Sequence, residues 1–417
     1  NQPICPYAET GRLKTFFRRP VCFHYNSAFH CQYSNAMSAI YQQLAALLLP
    51  QEILSEPAGL LTDQRRRYTG TADLVLQPQS VEAVKTIMRF CFEHRIPVTP
   101  QGGNTGLCGA AVPRGGVLLN LSRLNRIRNI STADNAITVE AGCVLHDVQQ
   151  TAEGAGRFFP LSLASEGSCQ IGGNIACNAG GLNVLRYGTM RDLVMGLEVV
   201  LPDGELVSHL HPLHKDTTGY DLRQLFVGSE GTLGIITAAT LKLFALPKSR
   251  ETAWVGVNGI GQAFELISRF ALELSSEYSG IAPPTDAPWH VLLELTDSLS
   301  RGDLADLLAE TLMGHGFDNS ILAQSESGRR DMWTLRENIS AAQRRLGASI
   351  KHDIAMPIAR VGEFVANCGH ALQAAFAGID IVVFGHLGDG SLHYNTFLPQ
   401  TADNGVYAYE DAVNKVV

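Results

Sequence analysis

No stretch of 18 or more uncharged apolar residues occurs in the 417-residue chain, so no membrane-spanning helix is expected. Peripheral membrane contact stays compatible. Basic runs with interleaved aromatics are also missing and the net charge is −8, which together argue against a general nucleic-acid binder. The nine cysteines contain no C-x-x-C pair. Cys5, Cys22 and Cys31 fall in the first 36 residues and the other six are scattered singly, so neither a zinc knuckle nor a disulfide scaffold follows. A reducing compartment is favoured. The expected location is cytoplasmic, peripheral to a membrane at most, with the mitochondrial matrix as the alternative in a eukaryote. No Walker G-x-x-x-x-G-K-[ST] sequence exists, and no G-x-G-x-x-G follows a strand and opens a helix. A nucleoside triphosphate and a nicotinamide cofactor are disfavoured accordingly.

Acidic residues are missing from a second place. After Glu9 the first 36 residues carry none, while Arg12, Lys14, Arg18 and Arg19 are present with little periodicity. This stretch is expected to be a leader outside any domain. An upstream or vector-derived translation, with Met37 as the start, is favoured over an organelle presequence, because the stretch is aromatic-rich and not amphipathic.

The remaining length suits two to three domains of ~150 residues. Tyr41 to Leu49 gives a short apolar helix signal ended by Pro50. Leu74–Pro78 reads as a strand, Ser80 as the cap of a helix through about His94, and Pro97–Pro100 as a second strand, a β-α-β start. Short strands follow at Val117–Leu121, Ala136–Glu140, Leu193–Leu201, Leu206–Val207 and Gly234–Phe244, with a hairpin at Pro202-Asp-Gly204. Near Leu246-Pro247 the texture changes. Strands at Trp254–Val257, Val291–Leu295, Ser349–Asp353 and Ile381–Phe384 alternate with helices over 261–278, 299–314, 332–346 and 357–375. A loop spans 280–288, and a helix is expected over Tyr407–Val417. Two modules result, 37–247 and 248–417, the second of α+β type.

Three glycine-rich stretches lie in the first module: Pro100-Gln-Gly-Gly-Asn-Thr-Gly-Leu-Cys-Gly109, Gly172-Gly-Asn-Ile-Ala-Cys-Asn-Ala-Gly-Gly181 and Gly228-Ser-Glu-Gly-Thr-Leu-Gly234. Without a Cβ, glycine lets backbone N–H groups approach and cradle a diphosphate. One such loop is explained equally well by a tight turn. Three point to an extended dinucleotide gripped along its length.

The second module carries His386-Leu-Gly-Asp-Gly-Ser-Leu-His-Tyr-Asn395. Asp389-Gly390 is a two-residue hairpin signal. A turn there would set His386 opposite His393, with the imidazoles ~5 Å apart on one face and Asn395 on that same face. Two convergent imidazoles are half of a transition-metal site; the alternative is a hairpin with satisfied polar side chains. Arg336 and Ser340, four apart in a helix, share a face suited to a carboxylate, or else form a solvated surface. Lys351 lies in a strand-like segment and alone would pass for a surface lysine.

Pro100-Gln-Gly-Gly-Asn-Thr-Gly, the Gly-Gly-Asn…Asn-Ala-Gly-Gly stretch and Lys215-Asp-Thr-Thr-Gly-Tyr-Asp-Leu-Arg-Gln-Leu-Phe-Val-Gly-Ser-Glu-Gly-Thr-Leu-Gly-Ile-Ile236 resemble the FAD-linked 2-hydroxyacid dehydrogenases. That group, within the vanillyl-alcohol-oxidase-type flavoproteins, includes D-lactate, glycolate and D-2-hydroxyglutarate dehydrogenases. The likeness runs from about Pro50 to the end, with several long motifs in order. It implies an α+β fold: an FAD-binding domain of two subdomains over 37–247 and a substrate-binding cap with an antiparallel sheet over 248–417.

By that resemblance Gly102, Gly103, Asn104, Thr105, Gly106 and Gly109 hold the pyrophosphate. Ser168, Gly172, Gly173, Asn174, Gly180 and Gly181 continue along the cofactor, and Glu230, Gly231, Gly234 and Ile235 lie near the adenine. The first loop has no histidine, so FAD is expected to be non-covalent. Arg336, Ser340 and Lys351 match carboxylate-gripping positions, although threonine is usual at the Ser340 position. His386 and His393 match metal-binding histidines, zinc being the expected ion, and Asn395 a polar contact to substrate or flavin. The family's third protein ligand is a glutamate in an Ala-Glu-His-Gly motif further on. The chain stops before it, so the cap is expected to be incomplete, and Glu410 stands in a different context.

The resemblance implies oxidation of a D-2-hydroxyacid, D-2-hydroxyglutarate first and D-lactate or D-malate next. The metal would bind the substrate oxygens and a histidine or metal-bound base would take the hydroxyl proton, while C2 hydride passes to flavin N5. A glycolate dehydrogenase, an FAD-carrying subunit of a larger complex and an oxidase using dioxygen are the alternatives. An electron-transfer flavoprotein, a quinone or a cytochrome would serve as acceptor, and homodimerisation is left open.

Overall fold

The computed structural model describes residues 39–258, 265–398 and 403–417; the leader expected over residues 1–36 lies outside the described residues. After a helix over 39–46, the first layer is a parallel sheet. Its strands are β1 (Leu74–Leu76), β2 (Val98–Gln101) and β3 (Val117–Asn120), in the order β1-β3-β2. The helix Val81–Glu93 connects β1 to β2. Ser80 starts it, its hydroxyl accepting the Ala83 N–H at 3.2 Å. Val84, Ile87, Met88 and Cys91 recur at helical spacing and are buried with Leu76, Val117 and Leu119.

A second, antiparallel sheet follows, built from β4 (Ile127–Ser131), β5 (Ala136–Glu140), β7 (Val194–Val200), β8 (Leu206–His209) and β9 (Ile235–Lys242), in the order β4-β5-β9-β7-β8. A separate two-residue antiparallel pair, β6 (Arg157–Phe158) with β10 (Phe244–Ala245), lies just beyond the end of β9. The turn joining β7 and β8 is the expected hairpin, with Gly204 at φ +85°. Charges are sunk into this sheet. The Glu140 side chain is 1 % exposed and accepts from the Arg126 N–H and Nη2, both at 2.9 Å, while Arg128 reaches on to Glu198. Burial alone would raise the Glu140 carboxyl; the Arg126 bonds and the arginine charges outweigh it and hold it below its ordinary value.

The cap is a seven-stranded, wholly antiparallel sheet. Its strands are β11 (Ser249–Val257), β12 (Glu265–Ser268), β13 (Trp289–Asp297), β14 (Ser320–Leu322), β15 (Ile350–Ala355), β16 (Asp380–His386) and β17 (Ser391–Phe397). Their order is β14-β11-β13-β12-β16-β17-β15. Helices Arg269–Ser279, Glu326–Glu337 and Ile339–Ala342 cover one face, against Trp254, Leu292, Val382 and Phe384. Helices Leu304–Gly314 and Ile358–Ala375 cover the other. The expected α+β class and antiparallel cap hold.

Three expectations are corrected. Residues 265–268, assigned to a helix over 261–278, form β12; residues 261–264 lie outside the described residues. Leu266 and Ile267 are both fully buried, one on each face, and a four-residue strand enclosed on both sides has no helical or alternating signature. The helix expected over 332–346 begins earlier, at Glu326, where the Ser325 hydroxyl accepts the Gly328 N–H. It is interrupted at Asn338. The closing segment is a 3-10 turn over Asp403–Tyr409 followed by the helix Glu410–Val416.

Candidate active site

The three glycine-rich loops converge, and glycine is what lets them. A Cβ on Gly103 would collide with the Ser168 carbonyl, one on Gly181 with the Ser162 carbonyl, and one on Gly231 with the Pro100 ring. Gly172 packs so closely on Ala141 that a Cβ would lie 2.7 Å from its methyl. The third loop hangs from the second through Gly228 N–H to Ile175 O (3.0 Å) and Glu230 N–H to Ala176 O (2.9 Å). Glu230, at φ +51°, is held in a left-handed conformation that non-glycine residues rarely adopt. Asn104 is likewise left-handed, at φ +52°, and its amide donates to Thr62 O at 2.8 Å.

The first loop presents unused donors. Among the described residues, none of the backbone N–H groups from Gly102 to Gly109, Thr105 included, donates to another protein group. Beside them, the Gln170 Oε1 is buried without a partner, 3.3 Å from where a Cβ on Gly102 would stand. A Cβ on Gly106 or Gly173 would meet nothing within 4 Å. A row of free N–H groups on open glycines suits a diphosphate, and a buried orphan acceptor suits an N–H of the attached ring system. The residues fit FAD. The remaining expected contacts divide. Ser168 and Gly180 are exposed, whereas Asn174 is buried with its amide toward the Cys169 thiol, and Gly234 and Ile235 are enclosed in the core.

The substrate-side candidates gather on one face of the cap sheet. Register places Asp353 opposite His393 and Lys351 opposite Asn395 between β15 and β17; β16 adds Phe384 beside His393 and Val382 beside Asn395. Alternation puts all six on one side. His393 Nδ1 lies 2.6 Å from Asp353 Oδ1, and its ring leans on Phe384 with centroids 4.8 Å apart. The hydrogen bond from His393, followed by its charge, holds the Asp353 carboxyl below its ordinary value. The buried Arg336 guanidinium lies over the other side of the pattern, 5.2 Å from the Phe384 centroid. Asn395 is buried and donates to Gln343 Oε1 at 2.8 Å. Ser340, one turn beyond Arg336 but past the break at Asn338, is exposed.

The Lys351 and Asp353 side chains are solvent-accessible. Water reaches both, yet surrounding protein thins the solvent. Burial pushes the Lys351 ammonium down to about 8, with Arg65 and Arg344 adding repulsion and Asp353 opposing it.

The hairpin differs from its expected form. Phe384, not His386, pairs with His393, and His386 lies two residues further along β16, beside β12. The turn is not the two-residue kind: Leu387–Asp389 makes a 3-10 turn, Gly390 has φ +77°, and Asp389 is not in the positive-φ region that a type I′ turn needs. At the turn Gly388 packs on the Leu185 side chain of the helix Val184–Tyr187, and the Gly390 carbonyl accepts the Met356 N–H. The two imidazoles are therefore diagonal rather than directly opposed.

Residues 72–209 match the family description "FAD binding domain", and residues 258–417 match "FAD linked oxidases, C-terminal domain". The mitochondrial D-2-hydroxyglutarate dehydrogenase of Danio rerio is 34 % identical over 377 residues, 84 % of this chain and 70 % of that one. The D-2-hydroxyglutarate dehydrogenase of Xanthomonas citri pv. viticola is 36 % identical over 386 residues, 87 % and 82 % of the two chains. The chain belongs to the FAD-linked 2-hydroxyacid dehydrogenase family. It is an FAD-dependent oxidoreductase. In fold it is similar to substrate-bound p-cresol methylhydroxylase, with TM-score 0.71, 17 % identity, and coverage of 92 % of this chain and 87 % of that one.

Several site residues of this flavoprotein escaped the sequence reading. Asp353 was legible as the alternate position after Lys351, but its partner His393 comes from a strand 40 residues away. Gln343 and the arginine-rich loop 62–69 carried no recognised motif. Two cavities of about 590 and 600 Å³ contain none of the candidate residues. One lies between helix Ile358–Ala375 and Val416–Val417, the other around Phe92 and Pro202, and we assign neither a role.

Proposed function

We propose that this flavoprotein oxidises a D-2-hydroxyacid, D-2-hydroxyglutarate foremost, to the 2-oxoacid, with residues 37–247 holding the flavin and 248–417 the substrate. The observation that carries the reading is the His393–Asp353 pair, 2.6 Å apart, on the same sheet face as Lys351 and Asn395. Bound FAD supplies the two-electron acceptor for the hydride leaving C2. The chain's own residues do the rest. Asp353 receives the Nδ1–H of His393, which leaves the lone pair on Nε2 to take the 2-hydroxyl proton as the carbonyl forms. Arg336 and Lys351 bind carboxylate oxygens, Ser340 adds a hydroxyl, and Asn395, fixed by Gln343, holds a further polar group of the substrate or flavin. Gly102, Gly103, Asn104, Thr105, Gly106 and Gly109 hold the pyrophosphate.

Zinc on His386 and His393 is part of the same proposal, but the described residues do not complete such a site. No group of three or more His, Cys, Asp and Glu gathers among them, catalytic zinc ordinarily takes three protein ligands, and the His393 Nδ1 is committed to Asp353. Zinc content by elemental analysis tests it; no step above needs the ion. Peripheral or matrix location, the acceptor and homodimerisation are read by fractionation, acceptor mixing and light scattering.

Anaerobic stopped-flow mixing of the FAD-loaded protein with paired D- and L-2-hydroxyacids tests the central reading. Flavin reduction by the D-enantiomers, fastest with D-2-hydroxyglutarate, is the expected result. Failure of every D-2-hydroxyacid to reduce the flavin would overturn it.

A further inference from the structure

One fastening between flavin domain and cap is polar. The loop Thr62–Thr69 is tied to the first glycine-rich loop, where Asn104 donates to Thr62 O and Gln101 donates to Leu60 O at 2.9 Å. Its Asp63 carboxylate accepts the N–H groups of Arg67 (2.7 Å) and Tyr68 (2.8 Å). From this loop the Arg67 guanidinium meets Glu410 Oε2 at 2.6 Å and lies 4.3 Å from the Tyr407 ring centroid. The grip falls on the closing segment of the chain.

A second fastening is apolar and meets the histidine hairpin itself. Leu185 packs on Gly388 in the turn Leu387–Asp389, close enough that a Cβ on the glycine would displace the leucine methyl groups. Leu185 is nonetheless 55 % exposed, so it is no core residue. The short helix that carries it is braced from below. Tyr187 stands edge-on to Phe158 and Phe244, with centroids 5.7 and 4.7 Å away, and those two rings face each other in the β6–β10 pair. Asn183 donates to Pro160 O at 2.8 Å, and the Val184 N–H donates to Gly181 O at 3.2 Å. Gly181 ends the second glycine-rich loop, so the seat is continuous with the flavin cradle. On the cap side the hairpin is thinner. The β16–β17 ladder ends at the Phe384–His393 pair. Beyond it the turn leans on Met356, whose N–H donates to Gly390 O at 3.0 Å, and on Asp389, whose carboxylate accepts the Ser391 N–H at 2.9 Å. His386 leads into that turn and His393 follows it.

Resting on the proposed hydroxyacid oxidation with His393 as base, we infer that Leu185 is a positioning residue: it seats the turn of the histidine hairpin on the flavin-binding loop and so fixes how far the imidazole face stands from the flavin. Hydride transfer needs reacting atoms about 3–3.5 Å apart, and a misplacement of about 1 Å can cost about 10²-fold. A braced apolar knob between cradle and hairpin meets that demand without touching the substrate. The Arg67 fastening ties the two domains together; Leu185 sets the gap at the reacting edge.

The test compares the FAD-loaded full chain as parent, Leu185→Ala and Leu185→Met, by anaerobic flavin reduction with D-2-hydroxyglutarate and by amide hydrogen exchange without substrate. Leu185→Ala should lower the limiting reduction rate roughly 10- to 100-fold, while the substrate concentration that gives half that rate changes by about threefold at most. Leu185→Met, of similar bulk, should recover most of the rate, and FAD per chain should equal that of the parent. In Leu185→Ala, exchange should quicken at Met356 and Ser391, whose N–H groups brace the turn, and stay unchanged within the β16–β17 ladder. A limiting rate within about twofold of the parent would overturn the inference, as would a methionine no better than alanine. So would a raised half-saturation with an unchanged limiting rate, which would put Leu185 on the substrate, or a loss of FAD, which would put it on the cofactor. Failure of the parent protein to oxidise D-2-hydroxyglutarate is a separate result: it removes the hydroxyacid reading itself. The exchange comparison then decides alone whether Leu185 seats the turn, and unchanged exchange overturns it.

Discussion

Replacing Asp353 by Asn removes one negative charge and leaves the shape of the side chain. In the parent, a 2.6 Å contact to His393 Nδ1 both orients the ring and puts its proton on the far side from the substrate. An asparagine can satisfy either tautomer, by accepting from Nδ1–H or donating to bare Nδ1, so part of the population would present N–H where a lone pair is needed. A positioned general base contributes about 10²–10⁴ in rate. The Asp353 side chain is 79 % exposed, and water already screens its charge, so the lower end applies. We expect the rate of flavin reduction to fall about 10²-fold, which corresponds to about 2.7 kcal/mol of barrier. The assay is anaerobic single-turnover reduction of the bound flavin across a pH series, with flavin content per chain measured alongside. Content should be unchanged. A reduction rate within about twofold of the parent would refute the dyad as the base.

The Lys351 ammonium is pushed down to about 8, so it is charged below that pH and lost as pH rises through it. Affinity for D-2-hydroxyglutarate should therefore decline above about 8 while affinity for D-lactate does not, and Lys351→Arg should carry the limb to higher pH; parallel limbs for the two substrates would sink the assignment. Gly103→Ala sets a Cβ against the Ser168 carbonyl. Forcing the loops apart should cost about 1–3 kcal/mol, seen as a lower Tm and a raised Kd for FAD in fluorescence titration, and an unchanged Kd would mean the loop does not hold the cofactor.

Most strands and the capped helix after Ser80 were legible because local rules govern them: a serine at the first turn, apolar spacing of three and four, a Pro-Asp-Gly turn. The flavin loops were legible for the same reason, glycine being required where backbones meet. What local rules missed was set by distant packing. β12 is enclosed on both faces and shows no period. The hairpin at Asp389-Gly390 has the right turn residues, yet its pairing is offset by two residues from the one they favour, and Gly388 there packs on Leu185, just over 200 residues earlier in the chain. Asp353 and Gln343 became site residues only through pairing across long sequence separations. Each is an ordinary polar residue in an ordinary segment.

Arg67 and Glu410 are separated by 343 residues, so their bond can form only long after the glycine-rich loops have left the ribosome. The glycine scaffold is synthesised long before the segment that bolts its neighbouring loop to the cap. Closing so large a loop is slow, and contacts of this span form late in folding. Two halves can therefore collapse separately before they meet. FAD arriving before that moment would find its cradle without the cap beside it; FAD arriving after would have to enter through a closed seam. The supply of flavin during synthesis, rather than its steady concentration afterwards, would then set what fraction of the chains ever becomes active.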